Sequence, residues 1–116
     1  MTENKRTIER YMAGFRATDH EAILSCLTDD IEWVIPGMFQ SRGKAAFDRE
    51  IENEAFVGRP EITVTRLVEE ADVVVAEGSI RTQRREGEVL TVRFCDDFVI
   101  RAGKIRHLTS YLMELK

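Results

Sequence analysis

The chain has 116 residues, enough for one compact domain and too few for two. Hydrophobic residues make up 43% and charged residues 33%, with seven glycines and two prolines, which is neither a disordered nor a collagenous composition. Seventeen basic residues against 21 acidic ones leave a formal charge of −4, which argues against nucleic acid as a partner.

No apolar run approaches the ~18 residues needed to span a membrane, so no membrane partner is expected. Met1 to Arg6 lead straight into an amphipathic pattern without a signal-peptide apolar region. Cys26 and Cys95 have neither metal-ligand nor redox-pair spacing. Free thiols without a leader fit a reducing compartment, and a cytoplasmic location is expected.

Ile8, Tyr11, Met12 and Phe15 recur at helical spacing and predict an amphipathic helix over 4–17. Thr18 followed by Glu21 is a capping-box signal for a second helix, with Ala22, Ile23, Cys26 and Leu27 on its apolar face. Ile31, Trp33 and Ile35 alternate with Glu32 and Val34, a short strand that Pro36 and Gly37 are expected to end. Phe47, Ile51 and Ala55 fall at intervals of four and predict a third helix over 43–56, closed by Gly58 to Pro60. The period then changes to two. Four strands are predicted, over 61–70, 73–84, 88–100 and 104–115, with turns at Ala71-Asp72, Glu86-Gly87 and Ala102-Gly103. Three helices mostly ahead of an antiparallel meander make a single α+β domain over 1–116, whose sheet can curl around the helices and leave a cavity.

The register of the last hairpin bears on the site. A two-residue turn at Ala102-Gly103 requires an alanine at positive φ, which is disfavoured. A three-residue loop with Gly103 in the left-handed position of a bulge is therefore expected. It sets Asp96 opposite Leu108, Phe94 opposite Ser110 and Phe98 opposite Arg106.

Asp96 is the most informative residue. Val92, Phe94, Asp96, Phe98 and Ile100 share one strand face by parity, so a carboxyl sits among apolar groups. Such an acid must be paired, hydrogen-bonded or kept neutral by a raised pKa. A neutral carboxylic acid can donate to a developing oxyanion. The structural alternative is an ion pair with Arg106, one diagonal step away. Tyr11 is the second candidate, a hydroxyl on the apolar stripe of the first helix, with an ordinary core tyrosine as its alternative. Trp33 is either core or pocket wall. His20 reads as solvated, His107 falls on the face opposite Asp96, and Arg81, Arg84 and Arg85 read as a solvated hairpin end.

The chain resembles the nuclear transport factor 2-like superfamily, in its ketosteroid isomerase-like and SnoaL-like branch. The resemblance rests on Glu9-Arg10-Tyr11-Met12-Ala13, on Leu27-Thr28-Asp29-Asp30-Ile31-Glu32-Trp33 leading to Pro36-Gly37, and on Gly43-Lys44-Ala45-Ala46. It also rests on the segment from Phe94-Cys95-Asp96-Asp97-Phe98 through Gly103-Lys104-Ile105 to Tyr111-Leu112. It implies a cone-shaped roll, a curved and mainly antiparallel sheet wrapped around three helices with an apolar pocket, usually in a homodimer. By that resemblance Tyr11 matches the isomerase's oxyanion-hole tyrosine and Asp96 its protonated aspartic acid. Where the isomerase carries its aspartate general base, this chain has Ile35. Isoleucine moves no proton, so a substitute base at the mouth is sought in Glu50 or Glu54.

The expected function is cofactor-independent binding of a small apolar molecule bearing a carbonyl or phenolic oxygen. Its chemistry would be isomerisation, cyclisation or lyase chemistry next to that carbonyl. Tyr11 and Asp96 are the expected catalytic groups, and Trp33, Ile35, Phe94, Phe98, Leu108 and Leu112 the expected pocket wall. A non-catalytic binding or dimerisation module of the same fold is the alternative. Epoxide opening, as in limonene epoxide hydrolase-like relatives, ranks third because Asp96 and Arg106 supply only part of the set it needs. A homodimer through the outer sheet face is expected from Val99, Ile105, Tyr111, Met113 and Leu115.

Overall fold

A computed structural model describes residues 1–115. Three helices, α1 (Glu3–Ala17), α2 (His20–Ser25) and α3 (Lys44–Glu50), lie against one face of a single sheet. Its strands are β1 (Leu27–Ile35), β2 (Phe39–Arg42), β3 (Phe56–Glu70), β4 (Val73–Arg84), β5 (Val89–Arg101) and β6 (Lys104–Leu115). Their order across the sheet is β2-β1-β6-β5-β4-β3. Every neighbouring pair is antiparallel except β1 with β6, so the sheet is mixed. Bulges in β3 and in the β5–β6 pair add local bend and twist, and the sheet curves without closing.

The first helix forms where its spacing predicts and buries Ile8, Tyr11 and Met12. Thr2 caps its start by accepting from the Lys5 N–H at 3.2 Å. The capping box expected at Thr18 does not form there. Thr18 is consumed in ending α1, in the left-handed conformation with φ 52°. Asp19 caps α2 instead, accepting from the Ala22 N–H at 3.1 Å. His20 is not free in solvent either: it bridges Asp48 at 2.6 Å and Glu52 at 2.5 Å, and these two hydrogen bonds raise its pKa.

Two further boundaries differ from the periodicity. The strand at Trp33 begins at Leu27, ahead of Ile31, and ends at Ile35 as expected, where Pro36-Gly37 turn the chain back into β2 with Ile35 opposite Phe39. The third helix ends at Glu50, not at Phe56. Asn53 breaks it by accepting from the Ala55 N–H at 2.8 Å, a local bond that competes with the helix ladder. Gly58 to Pro60 then belong to a bulge in β3, an edge strand, where a proline forfeits no interior ladder bond.

The final turn also differs. Ala102 and Gly103 form a two-residue turn with φ of 51° and 78°, positive at both positions, and Arg101 pairs with Lys104. The displaced residue enters instead as a bulge past Val99, where the ladder shifts register. Asp96 therefore faces Ser110, Phe94 faces Leu112 and Phe98 faces Leu108. Tertiary bonds hold the turn: Thr7 Oγ1 donates to the Gly103 carbonyl at 2.9 Å and the Ile105 N–H to the Cys26 carbonyl at 2.8 Å. The same bulge brings Ile105 inside, fully buried, and removes it from the outer face where parity had set it.

Alanine in the left-handed region costs roughly 1–2 kcal/mol relative to the right-handed one. Ala102→Gly is accordingly expected to raise stability in chemical denaturation by about 0.5–1 kcal/mol, because glycine carries that φ without strain at some cost in unfolded-state entropy. A loss of stability would contradict the two-residue turn.

Candidate functional site

Between α1 and the inner face of the sheet lies a cavity of about 160 Å³. Tyr11 enters it from α1, Trp33 and Ile35 from β1, Phe94 and Asp96 from β5, and Ser110 and Leu112 from β6. Alternation along each strand puts these side chains on one face, and the curvature of the sheet turns that face toward the helix. Most drug-sized ligand pockets run from roughly 300 to 1,000 Å³. An apolar void of roughly 150 Å³ holds one benzene ring. The size therefore suits a small, ring-like guest.

The aromatic residues make the wall stiff. Trp33 stacks on Phe47 with ring centroids 4.7 Å apart and meets the edge of Phe39 at 5.1 Å. Phe94 approaches the backbone of Gly78 across the β4–β5 ladder, and a Cβ on Gly78 would lie 2.0 Å from the Thr63 carbonyl oxygen and 2.9 Å from the Phe94 ring. Only glycine fits that point.

Of the eight side chains that the sequence nominates, Tyr11, Asp96, Trp33, Ile35, Phe94 and Leu112 come together on this cavity. Leu112 is its most open member, 42% exposed. Phe98 and Leu108 do not line it; both are wholly buried, and Phe98 sets its ring against Tyr11 at 5.3 Å. They support the site from beneath. Glu50 and Glu54 are not on the lining either. The helix that would have carried Glu54 inward stops at Glu50, and the Glu54 carbonyl accepts from Arg85 Nε at 2.8 Å.

Ser110 is the residue that sequence reasoning missed. It shares the inner face of β6 with Leu108 and Leu112, a lone hydroxyl in an apolar row, the same signal that singled out Asp96. The assumed register set it against Phe94 and hid its relation to the acid. In the structure it is Asp96's cross-strand partner, and its hydroxyl accepts from Trp33 Nε1 at 3.1 Å. The Asp96–Arg106 pair considered from the sequence does not form, because the bulge displaces Arg106 from the ladder opposite Phe98. Ser110 is the polar side chain that stands across the ladder from Asp96 on the same cavity.

The electrostatics follow from that neighbourhood. Burial pushes the Asp96 carboxyl up to about 7, and the Ser110 hydroxyl, which favours the charged form, limits the rise. Burial also raises the Tyr11 phenol well above its ordinary range, with the Asp96 charge and Cys26 adding to it. Tyr11 thus stays a hydrogen-bond donor across the working pH range. Asp96 is divided near neutrality between a donor acid and an acceptor carboxylate. Among the described residues no three histidine, cysteine or acidic side chains converge to hold a metal ion, and no helix is long and apolar enough to cross a membrane.

A carboxyl whose folded pKa lies above its unfolded value binds extra protons in the native state, so stability falls as pH rises between the two. For Asp96 that window runs from about 4, the ordinary aspartate value, up to about 7. Asp96→Asn is expected to track wild type at the acid end, to become progressively more stable than it through the window, and to keep a constant advantage above it. A difference independent of pH in denaturant titrations would contradict the raised value.

The SnoaL-like domain family matches residues 8–108. No curated protein sequence matches the chain. TerC, solved as a co-crystal with polyporic acid, is 26% identical, with a TM-score of 0.84 over 94% of this chain and 90% of that one. An LEH-like epoxide hydrolase of M. tuberculosis is 17% identical, with a TM-score of 0.84 over 96% of this chain and 83% of that one. An NTF2-like protein of unknown function from Burkholderia pseudomallei is 18% identical, with a TM-score of 0.86 over 97% and 92%. At those lower identities the likeness shows the fold alone. The family match spans nearly the whole chain and agrees with the order of its helices and strands: the protein belongs to the SnoaL-like family, with an NTF2-like fold.

Proposed function

We propose that this protein binds a small, mostly apolar molecule that seats one ring in the cavity and leaves any second ring at the exposed mouth beside Leu112, with a carbonyl or phenolic oxygen held between Tyr11 and Asp96, and moves a proton next to that oxygen. The observation that carries this reading is a carboxyl and a phenol on one apolar cavity with no cation on its wall among the described residues. Charge developing on the ligand oxygen would meet the Tyr11 hydroxyl and the protonated form of Asp96. Loss of one such donor typically costs about 10²–10³ in rate. The ionised form of Asp96 would serve as base, which general acid–base catalysis rewards by about 10²–10⁴ when the pKa lies near the working pH. One residue would then take and return the proton in place of the base that Ile35 cannot provide. Isomerisation, aldol-type cyclisation and lyase steps share this requirement, and none needs a cofactor.

The co-crystal of TerC with polyporic acid supports a small organic occupant. Epoxide opening is less favoured, since among the described residues no arginine or lysine lines the cavity beside Asp96. The second reading is a non-catalytic binding module of the same fold, and Ile35 on the wall is the observation in its favour. A homodimer accompanies either reading. Tyr111, Met113 and Leu115 alternate along the outer face of β6 and are 54%, 67% and 46% exposed, an apolar row that a second copy of the sheet would cover.

Calorimetric titration with 2-naphthol, a planar phenol that imitates an enolate, is expected to show binding that weakens about tenfold or more in Asp96→Asn and in Tyr11→Phe. Unchanged affinity in both variants, or no binding to wild type, would overturn the site. Deuterium exchange at the α-carbon of 2-tetralone in D₂O, faster with wild type than with Asp96→Asn, would mark the enzyme; binding without exchange would mark the module. Sedimentation at micromolar concentration is expected to show a dimer that Met113→Glu dissociates, and a monomer alone in wild type would refute it.

A further inference from the structure

The polar groups of the cavity are not equivalent, and the reason lies in their hydrogen atoms. An indole N–H can only donate. Trp33 Nε1 donates to Ser110 Oγ at 3.1 Å, and the indole is clamped by its stack on Phe47 and its contact with Phe39. A serine hydroxyl has one proton to give, and with an N–H already directed at its oxygen, that proton points elsewhere. Asp96 stands directly across the β5–β6 ladder, on the same face and the same cavity.

Resting on the reading of the site above, we propose that Ser110 is a positioning residue: anchored by Trp33, its hydroxyl is committed to one oxygen of Asp96 and leaves the other oxygen, with the Tyr11 hydroxyl, to the ligand. The order of donation is Trp33 to Ser110 to Asp96. Neither Trp33 nor Ser110 has a donor left for the guest. The cavity therefore recognises one oxygen function through two groups, and a guest with a second polar group finds no partner for it deep in the pocket. The oxygen that faces Ser110 keeps a hydrogen-bond donor in both protonation states, so it stays matched when the acid gains or loses its proton.

The inference is tested on Asp96 itself, without ligand, by following its side-chain carboxyl ¹³C shift across pH in the full chain. Wild type is expected to titrate near the value of about 7. Ser110→Ala is expected to move that midpoint upward by about one to two pH units, since a hydrogen bond to a charged group is lost. Ser110→Thr, which restores the hydroxyl, is expected to bring it back. Trp33→Phe leaves the serine hydroxyl free to rotate and is expected to move the midpoint in the same direction by less; it reads the same relay if Ser110→Ala does not fold. A midpoint unmoved by Ser110→Ala, or moved downward, overturns the proposal, as does a Trp33→Phe midpoint moved downward. The pH at which 2-naphthol affinity changes is expected to follow the carboxyl midpoint from variant to variant. If naphthol fails to bind while the carboxyl midpoint still shifts, the relay stands and the ligand reading falls. If naphthol binds but the midpoint stays fixed, the reverse holds.

Discussion

A carboxyl on the inner face of a curved sheet, opposite a serine and with no cation beside it among the described residues, sets the terms for the rest of this protein. Moving Asp96 out of water makes its ionisation on the order of 4 kcal/mol harder than in the open chain. A structural ion pair would have neutralised that cost, and the ladder had an arginine close at hand. The bulge past Val99 shifts the pairing so that Ser110 stands opposite the acid and Phe98 faces Leu108 in place of Arg106. A hydroxyl partner stabilises the charged form without abolishing the neutral one. The acid is left able to exist as either, which an arginine partner would have prevented.

The surrounding architecture holds that arrangement in place. Tyr11 is braced by Phe98 beneath it, and Trp33 by Phe47 and Phe39. Gly78 removes a side chain where the Phe94 ring and the Thr63 carbonyl close in. Curvature comes from bulges, and it gathers residues from α1 and five of the six strands around a void the size of one ring. The cavity wall is built from strands and one well-capped helix, so its side chains are ordered by packing. Ile35 on the same wall leaves Asp96 as the one carboxyl among the described lining residues.

The register of the last hairpin shows how a sequence argument can misplace partners and still keep faces. The expected loop of three residues and the observed turn with its bulge differ by two positions at Asp96. An even displacement preserves parity, so Asp96, Phe94 and Phe98 stayed on the inner face although every partner changed. Ile105 lies on the turn side of the bulge, where the displacement is odd, and it moved from the expected outer face into the core. The argument against Ala102 weighed a local cost of roughly 1–2 kcal/mol. It could not weigh the bonds from Thr7 and to Cys26 that hold the turn from a distance.

Several features were determined by the sequence alone: the change of period from helical to alternating, the inner face of the Asp96 strand, the family likeness, and an acid and a phenol on apolar stripes. Each is encoded in residues a few positions apart, where periodicity of 3.6 or 2 acts directly. Tertiary structure decided the rest. It held the Ala102-Gly103 turn through Thr7 and Cys26, drew His20 between Asp48 and Glu52, and set Ser110 between Trp33 and Asp96. These outcomes depend mostly on groups brought together from distant parts of the chain. Local patterning orients a side chain toward the core, but which partner it meets there is settled only when the whole sheet has chosen its register.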